Sequence, residues 1–365
     1  MNKFFSDVLT IVNGKNQRAV ENPNGKYPIY GSGGIMGYAD NYLCDAETVI
    51  IGRKGSINKP LFVEEPFWNV DTAFGLVANK TVLLPKYLFY FCVNYDFEKL
   101  NKTVTIPSLT KSDLLKIEID IPSIIFQQSV VEKLDRVGSC IELLKMQLQK
   151  LNELIKSRFV EMFGNIELNN NNYPVYLLND LCNISSSKRI YQSEQSKSGV
   201  PFLRVSDLVK LIETDIFDND LFIPIETFEE LQENDLVPTE GDILVTSRGT
   251  IGKCYIMKKS DRFYFQDGMI SWLYSFDKRI TPLFLSLLFD SRYIKRQVDN
   301  LQSGSTVAYL SIAMLKKLHV VVPPIDLQNQ FGDFVTRVEK QKAVVQQSID
   351  KLETLKKSLM QEYFG

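Results

Sequence analysis

Two glycine-centred strings hold the side chains best suited to chemistry. RKGSINK carries Arg53, Lys54, Ser56 and Lys59, and SRGTIGK carries Arg248, Thr250 and Lys253. Glycine lets backbone approach a ligand closely, hydroxyls and amides bond phosphate oxygens, and a guanidinium can bond a guanine edge with two parallel hydrogen bonds. A second pair of strings is rich in hydroxyl and amide groups: NKTVTIPSLT, with Thr105 and Ser108, and QSGSTVAYLS, with Ser303, Ser305 and Thr306. These groups suit base edges and phosphates, and they equally suit caps and turns. One basic hairpin alone reads as a solvated turn; recurrence at equivalent positions favours a DNA contact. Tyr30, Tyr38, Trp68, Tyr191 and Trp272 could stack on bases, with core packing the default for most of them.

No catalytic constellation assembles beside these strings. The one histidine, His319, lies in KKLHVVVPP, a strand-like alternation where a partly buried structural imidazole is expected rather than a general base. GTIGKC lacks the first-glycine spacing of a phosphate-binding loop and the Ser/Thr that should follow its lysine. In GSGGIMG, Met36 stands where a dinucleotide fingerprint needs its third glycine. Pro323-Pro324 is preceded by Val322 and followed by Ile325, so the Asp/Asn-Pro-Pro-aromatic string of amino-methyltransferases is absent too. The five cysteines (Cys44, Cys92, Cys140, Cys182, Cys254) are scattered and odd in number, with no C-x-x-C pair. That argues against disulfides and structural zinc and for a reducing, cytoplasmic home. No metal or cofactor is expected in this chain.

These groups must be positioned by a chain of 365 residues, longer than one core usually holds, so two domains are expected. Its 44% hydrophobic and 24% charged residues describe a globular protein without a membrane-spanning stretch. Asp7 interrupts the apolar start, and no targeting signal is read there. A net charge of -2 argues against indiscriminate coating of nucleic acid, so any such contact must be local.

The chain repeats itself. LKKSLMQEYFG at the end echoes LIKSRFVEMFG at Leu154 to Gly164, an offset of 201 that also pairs Gln127 with Gln328, Pro122 with Pro323 and Thr105 with Thr306. The glycine strings align at an offset of 194, and SDVLTIVNGK aligns with NDLCNISSSK at 173, pairing Pro28 with Pro201. Length is added between these blocks and never within the last sixty residues. Loops tolerate insertions and packed seams do not, so the invariant part should be a packed helix. Val130, Leu134, Val137, Ile141, Leu144, Leu148, Leu151 and Ile155 alternate steps of four and three, a heptad seam. Its second copy reads Phe331, Val335, Val338, Lys342, Val345, Ile349, Leu352 and Lys356, apolar except for the two lysines. From Gln127 to Phe163 such a helix would run roughly 55 Å at about 1.5 Å per residue. ETVIIGRKGSINKPLFV and GDILVTSRGTIGKCYIM read as β-hairpins with basic tips, PKYLFYFCVN and TPLFLSLLFDSRYIKRQV as one helix each. The expected order is α/β domain, long helix, α/β domain, long helix, with the helices antiparallel and the domains at opposite ends.

In that order the strings GDILVTSRGTIGK, VVVPPIDLQNQ, IDIPSIIFQQSVVEKLD and the paired endings SRFVEMFG and SLMQEYFG resemble the specificity subunit of a type I restriction-modification system. The resemblance covers the whole chain. It implies an α/β fold: two target recognition domains (1–125 and 165–326) alternating with two long spacer helices (126–164 and 327–365). The helices pair as an antiparallel coiled coil with an internal pseudo-twofold repeat. It further implies a non-catalytic subunit, each domain reading one half of a split DNA target and the helices setting the unread gap. Its partners would be double-stranded DNA, two adenine methyltransferase subunits and a motor-nuclease subunit, with no membrane. S-adenosylmethionine, ATP and magnesium would be held by those partners. From the residues alone, a coiled-coil scaffold that does not touch DNA and a self-contained restriction or methylation enzyme stay open.

Overall fold

The structure, a computed structural model, describes residues 2–101, 108–217, 219–302 and 309–365. The chain divides into two compact units, Met1–Gln149 with Ala343–Gly365, and Lys150–Lys342. Chain order starts with β1 (Asn2–Phe4), α1 (Phe5–Val8), β2 (Leu9–Asn13), β3 (Tyr27–Gly31), β4 (Gly34–Ala39), β5 (Thr48–Gly52) and β6 (Leu61–Val63). Then come β7 (Trp68–Asn69), β8 (Ala73–Ala78), α2 (Pro85–Asn94), α3 (Lys111–Leu114), β9 (Glu118–Asp120) and the long α4 (Ile124–Phe163). The second copy holds β10 (Val175–Leu177), β11 (Asn183–Ser186), β12 (Val200–Leu203), α5 (Val205–Thr214), β13 (Phe222–Ile223), α6 (Ile225–Glu233), β14 (Ile243–Thr246) and β15 (Cys254–Ile256). It closes with β16 (Tyr264–Phe265), β17 (Ile270–Tyr274), α7 (Pro282–Phe289), α8 (Arg292–Gln302), α9 (Ile312–Leu315), β18 (His319–Val321) and α10 (Ile325–Phe364).

The repeat read from letters is a repeat of sheets. The four-stranded order β2-β8-β5-β6 recurs as β11-β17-β14-β15, and the three-stranded order β4-β3-β7 recurs as β13-β12-β16. In both small sheets the central strand carries one antiparallel and one parallel neighbour. The pair β1-β9 recurs as β10-β18. The central strands TVIIG and ILVT are buried along their whole length, as unbroken β-branched and aliphatic runs should be. Both glycine strings join antiparallel strands, β5 to β6 and β14 to β15, so both are hairpins.

The long helices start at Ile124 and Ile325 and end at Phe163 and Phe364, so the spacing of 201 holds at both ends and each has 40 residues. Each begins about one turn earlier than Gln127 and its counterpart suggest, within two residues of the blocking prolines. In the first unit Ile141, Val345 and Ile349 form a buried cluster flanked by Val137, Leu144, Leu148 and Leu352. Val130 and Leu134, earlier in α4, join a core that includes Met360, late in α10. Rising numbers on one helix thus meet falling numbers on the other, so the pair is antiparallel. In the second unit Ile155, Phe331, Val335 and Val338 are buried in one core with Leu151 packed against it. The Lys342 side chain is largely buried, 24% exposed, and its ammonium reaches Glu339 at 2.9 Å. Lys356 extends over Gly138, where an added Cβ would lie 3.8 Å from its Nζ.

The echoed Phe-Gly endings have a packing role. Phe163 lies edge-on to Phe284 of α7 at 4.8 Å, and Phe364 lies against Tyr87 of α2 at 5.0 Å. Gly164 takes φ +72, the left-handed cap that ends a helix at little cost for a residue without Cβ. A buried glutamine fixes the other end of each helix. The Gln127 side chain accepts from Leu84 N at 2.8 Å and donates to Val82 O at 2.8 Å and Pro122 O at 3.0 Å. Gln328 repeats this, accepting from Thr281 N at 2.9 Å and donating to Arg279 O at 2.9 Å and Pro323 O at 2.8 Å.

Two expectations need correction. TPLFLSLLFDSRYIKRQV is two helices, because Asp290 and Ser291 end one and open the next: Ser291 Oγ donates to Leu288 O at 2.5 Å and accepts from Ile294 N at 3.4 Å. His319 is exposed at the start of β18, while Val320 and Val321 after it are both buried; its main chain pairs with the Gln297 amide at 2.8 and 3.0 Å. Trp272 follows the core-packing default expected for most of the aromatic candidates, its Nε1 donating to Asp242 Oδ2 at 3.0 Å.

Candidate nucleic-acid interface

The two kinds of string singled out in the sequence meet in each unit. Arg53 N donates to Thr72 O at 2.8 Å, and Arg53 O accepts from Leu109 N at 2.9 Å. At the equivalent place Ser247 N donates to Met269 O at 2.8 Å, and Ser247 O accepts from Leu310 N at 2.9 Å. The glycine loop is therefore stitched on one side to the connector entering β8 or β17, and on the other to the hydroxyl-rich segment. Lys54 and Ser108 form an isolated antiparallel bridge that extends the seam. Gly55 at φ +78 and Gly249 at φ +67 supply the tight turns that β-carbon-bearing residues resist.

Arg53, Lys54, Ser56 and Lys59 are exposed at the tip of the first loop, while Ile57 between them is buried and anchors it. In the second loop Arg248 and Thr250 are exposed and Lys253 is half-buried. Arg53, Lys54, Lys59 and Arg248 have no ion-pair partner among the described residues, and Lys253 attracts Asp290 without a direct ion pair, in contrast to Arg204, which binds Asp207 and Asp220, and Arg279, which binds Asp277. The Arg53 guanidinium sits 5.8 Å from the Phe74 ring centre and the Arg248 guanidinium 4.7 Å from that of Tyr309. An aromatic support holds a guanidinium in place without neutralising it. Thr246 shapes the second loop from below: its Oγ1 donates to Thr250 O and accepts from Lys253 N at 3.0 Å. Ser108 is half-buried with its N–H bonded to Asn101 Oδ1 at 3.2 Å. Thr105, Ser303, Ser305 and Thr306 lie outside the described residues.

Sequence reasoning passed over a third contributor, the loop leaving the first strand of each large sheet. Gly14 N and Lys15 N donate to Ala73 O at 3.2 Å and Asn69 O at 2.9 Å, so Lys15 borders the same connector that Arg53 holds from the other side. Trp68 Nε1 donates to Lys15 O at 3.0 Å. In the second unit Lys188 N donates to Tyr264 OH at 2.7 Å, and Ser186 Oγ accepts from Gly268 N at 3.1 Å. Lys15, Arg18, Lys188 and Arg189 are all exposed, with Arg189 bound to Asp267 at 2.8 Å. The signal was present, because the 173-residue alignment ends on Lys15 and Lys188. Of the remaining aromatic candidates, Tyr38 and Tyr191 are exposed, whereas Tyr30 packs edge-on against Phe67 at 5.4 Å.

Such a surface can donate hydrogen bonds to anionic and base-edge oxygens. Away from this surface, burial pushes the Cys44 and Cys182 thiols up to about 12, which keeps them from acting as thiolate nucleophiles near neutral pH. Among the described residues no group of three or more His, Cys, Asp or Glu side chains could hold a metal ion, and no helix is long and apolar enough to cross a membrane.

Residues 1–153 and 170–354 match the type I restriction modification DNA specificity domain, once for each copy of the repeat. A putative type I restriction enzyme specificity subunit of Haemophilus influenzae is 26% identical over 92% of this chain and 87% of its own length. The MjaVIII specificity subunit of Methanocaldococcus jannaschii is 21% identical over 87% of this chain and 75% of its own. Among solved structures, the type I S subunit from M. genitalium superimposes with a TM-score of 0.64 at 16% identity, covering 100% of this chain and 96% of that one. A chain from a structure of type I system assembly and conformational transition gives 0.59 at 15% identity, covering 100% and 97%. At such identities the structures speak for the fold, and the matched domain pair speaks for the family. A chain with two such domains, two equivalent cationic loop clusters and a paired-helix spacer belongs to the type I restriction-modification DNA specificity family, as its non-catalytic DNA-recognition subunit.

Proposed function

We propose that each domain reads one half of a bipartite DNA target through the edge where its glycine loop, hydroxyl-rich segment and first-strand loop meet. One observation made twice carries this reading: unpaired exposed cations on a loop tied by its main chain to Leu109 in one copy and Leu310 in the other. An unpaired exposed cation loses no intramolecular partner when it meets a phosphate, and releases counterions from the duplex instead. The two loops differ in composition, so the two half-sites differ and the target is asymmetric. With a near-neutral chain, DNA binding by the isolated subunit is weak and salt-sensitive.

The helices supply the platform on which two adenine methyltransferase subunits dock, with a motor-nuclease subunit joining for cleavage. Those partners hold S-adenosylmethionine, ATP and magnesium, and the assembly works in the cytoplasm. Exposed apolar side chains at repeat-equivalent positions, Leu143 with Val344 and Leu154 with Leu355, support a docking role. The test is to express the chain with its cognate methyltransferase and sequence the methylated genome. A bipartite methylated motif is expected, and Lys54→Ala with Arg248→Ala should abolish it while the complex still assembles. No motif with the wild type, or methylation by the purified chain alone, would overturn the reading.

A further inference from the structure

The strand bearing Pro28 and the strand bearing Pro201 occupy the same central place in their three-stranded sheets, yet the chain leaving them differs. Two residues separate β3 from β4, whereas eighteen separate β12 from β13, and most of these form helix α5. Both insertions lie beside the glycine loop of their own unit. In the first, the β3–β4 turn packs over the loop base: a Cβ on Gly52 would come within 3.1 Å of the Ser32 Cβ. In the second, α5 and the loop face each other across a groove of about 500 Å³, lined by Ser206, Val209, Lys210 and Glu213 of the helix and by Gly249 and Thr250.

We infer that this slot holds the specificity-determining element of each domain, a β-hairpin in the first and a helix in the second, and that duplex DNA is the occupant of both. The inference deepens the DNA reading above and rests on it; what argues for DNA is the continuity of each slot with the cationic glycine loop. The two elements carry different chemistry. On β4, an edge strand, Ile35, Met36 and Tyr38 are exposed at 55%, 63% and 43%. Apolar side chains exposed on an edge strand whose turn packs on the glycine-loop base suit a thymine methyl or a base step opened at the groove floor. The α5 face instead offers a hydroxyl, an ammonium and a carboxylate. Glu213 would repel a phosphate backbone but accepts from a cytosine amino group, and Ser206 and Lys210 donate to guanine or thymine oxygens. A mixed donor and acceptor face is thus matched to base edges, and an α-helix fits the major groove. Leu208, Leu211 and Ile212 seat α5 by its other face, leaving these polar positions outward, while Val205 borders the groove at the start of the helix.

Selection from a randomised duplex pool by the full-length chain at low salt tests this, with the enriched motif read by sequencing. The wild type should enrich a two-part motif. Ser206→Ala with Lys210→Ala should relax one or more positions of one part at least tenfold and leave the other part unchanged. Ile35→Ser with Met36→Ser should relax only the other part. Unchanged melting temperatures check that the fold persists, and Lys210→Gln, which keeps the stem, should relax the same positions as the alanine pair. Wild-type motifs from all variants would overturn the inference while leaving the DNA reading intact. Absence of any motif with the wild type would overturn both.

Discussion

The long helices and the slots beside the glycine loops answer the same duplication in opposite ways. α4 and α10 keep one length and one offset from first residue to last, while the slot after Pro28 and the slot after Pro201 no longer share even a secondary-structure type. The difference follows from how each is held. A helix seam repeats its burial every three or four residues, and each end is fixed, by a terminal phenylalanine on α2 or α7 and by a buried glutamine. An inserted residue would rotate every later side chain out of register. The slots open to solvent beyond β3 and β12, so extra chain there disturbs little of the core. Scaffold and reading element are therefore separable, and each can be attacked alone.

The largest effect should come from the seam. Ile141→Asp sets a carboxylate against Val345 and Ile349 and should cost roughly 3–5 kcal/mol, read as a fall in melting temperature. Leu143→Asp, on the exposed face of the same helix, should stay within about 0.5 kcal/mol; similar losses for both would dissolve the contrast between seam and surface. Next come the glutamines. Gln127→Leu orphans Leu84 N, Val82 O and Pro122 O, and denaturant unfolding should show a loss of about 1–3 kcal/mol, with Gln328→Leu giving a similar loss. A large loss in one copy only would break the equivalence of the two clamps.

Smaller, and confined to binding, is the effect at the loops. Lys54→Ala or Arg248→Ala should leave melting unchanged, weaken DNA binding several-fold, and lower the salt dependence by about one counterion for each phosphate no longer neutralised. An unaltered salt slope would make both loops solvated turns. The smallest effect concerns Asp290 near the second loop. Its hydrogen bond to Lys295 at 2.8 Å holds the carboxyl below the ordinary carboxylate range, with Lys253 adding to the attraction. A depressed folded-state value contributes stability above the unfolded value near 4, and that stability is lost as pH falls through the folded one. Asp290→Asn should therefore cost up to about 1 kcal/mol at pH 7 and nothing at the acid end, as denaturation across pH would report. A pH-independent difference would mean that packing, not charge, holds Asp290.

Much of the scaffold was legible in the letters because its causes are local or periodic. The heptad steps from Val130 to Ile155, the prolines before each helix and the echoed Phe-Gly endings specify two equal helices without any knowledge of their neighbours. The hairpins were legible for the same reason, as β-runs on either side of glycine. What misled was also local. Asp290 and Ser291 are tolerable in a helix by composition, and only their bonds to Leu288 and Ile294 make them a break.

By itself, then, the sequence determined the duplication, the seam and the two basic loops, since periodicity and offsets need no third dimension. Tertiary structure decided which loops share an edge. Lys15, Arg53, Thr72 and Leu109 are up to ninety-four residues apart, and they meet because β2, β8 and β5 pair in an order that chain order does not state. It also decided that Lys15 and Lys188 belong with the glycine loops, and that a hairpin in one domain stands where a helix stands in the other. Strand pairing brings distant residues together through non-local hydrogen bonds, which leave no period in the sequence to read.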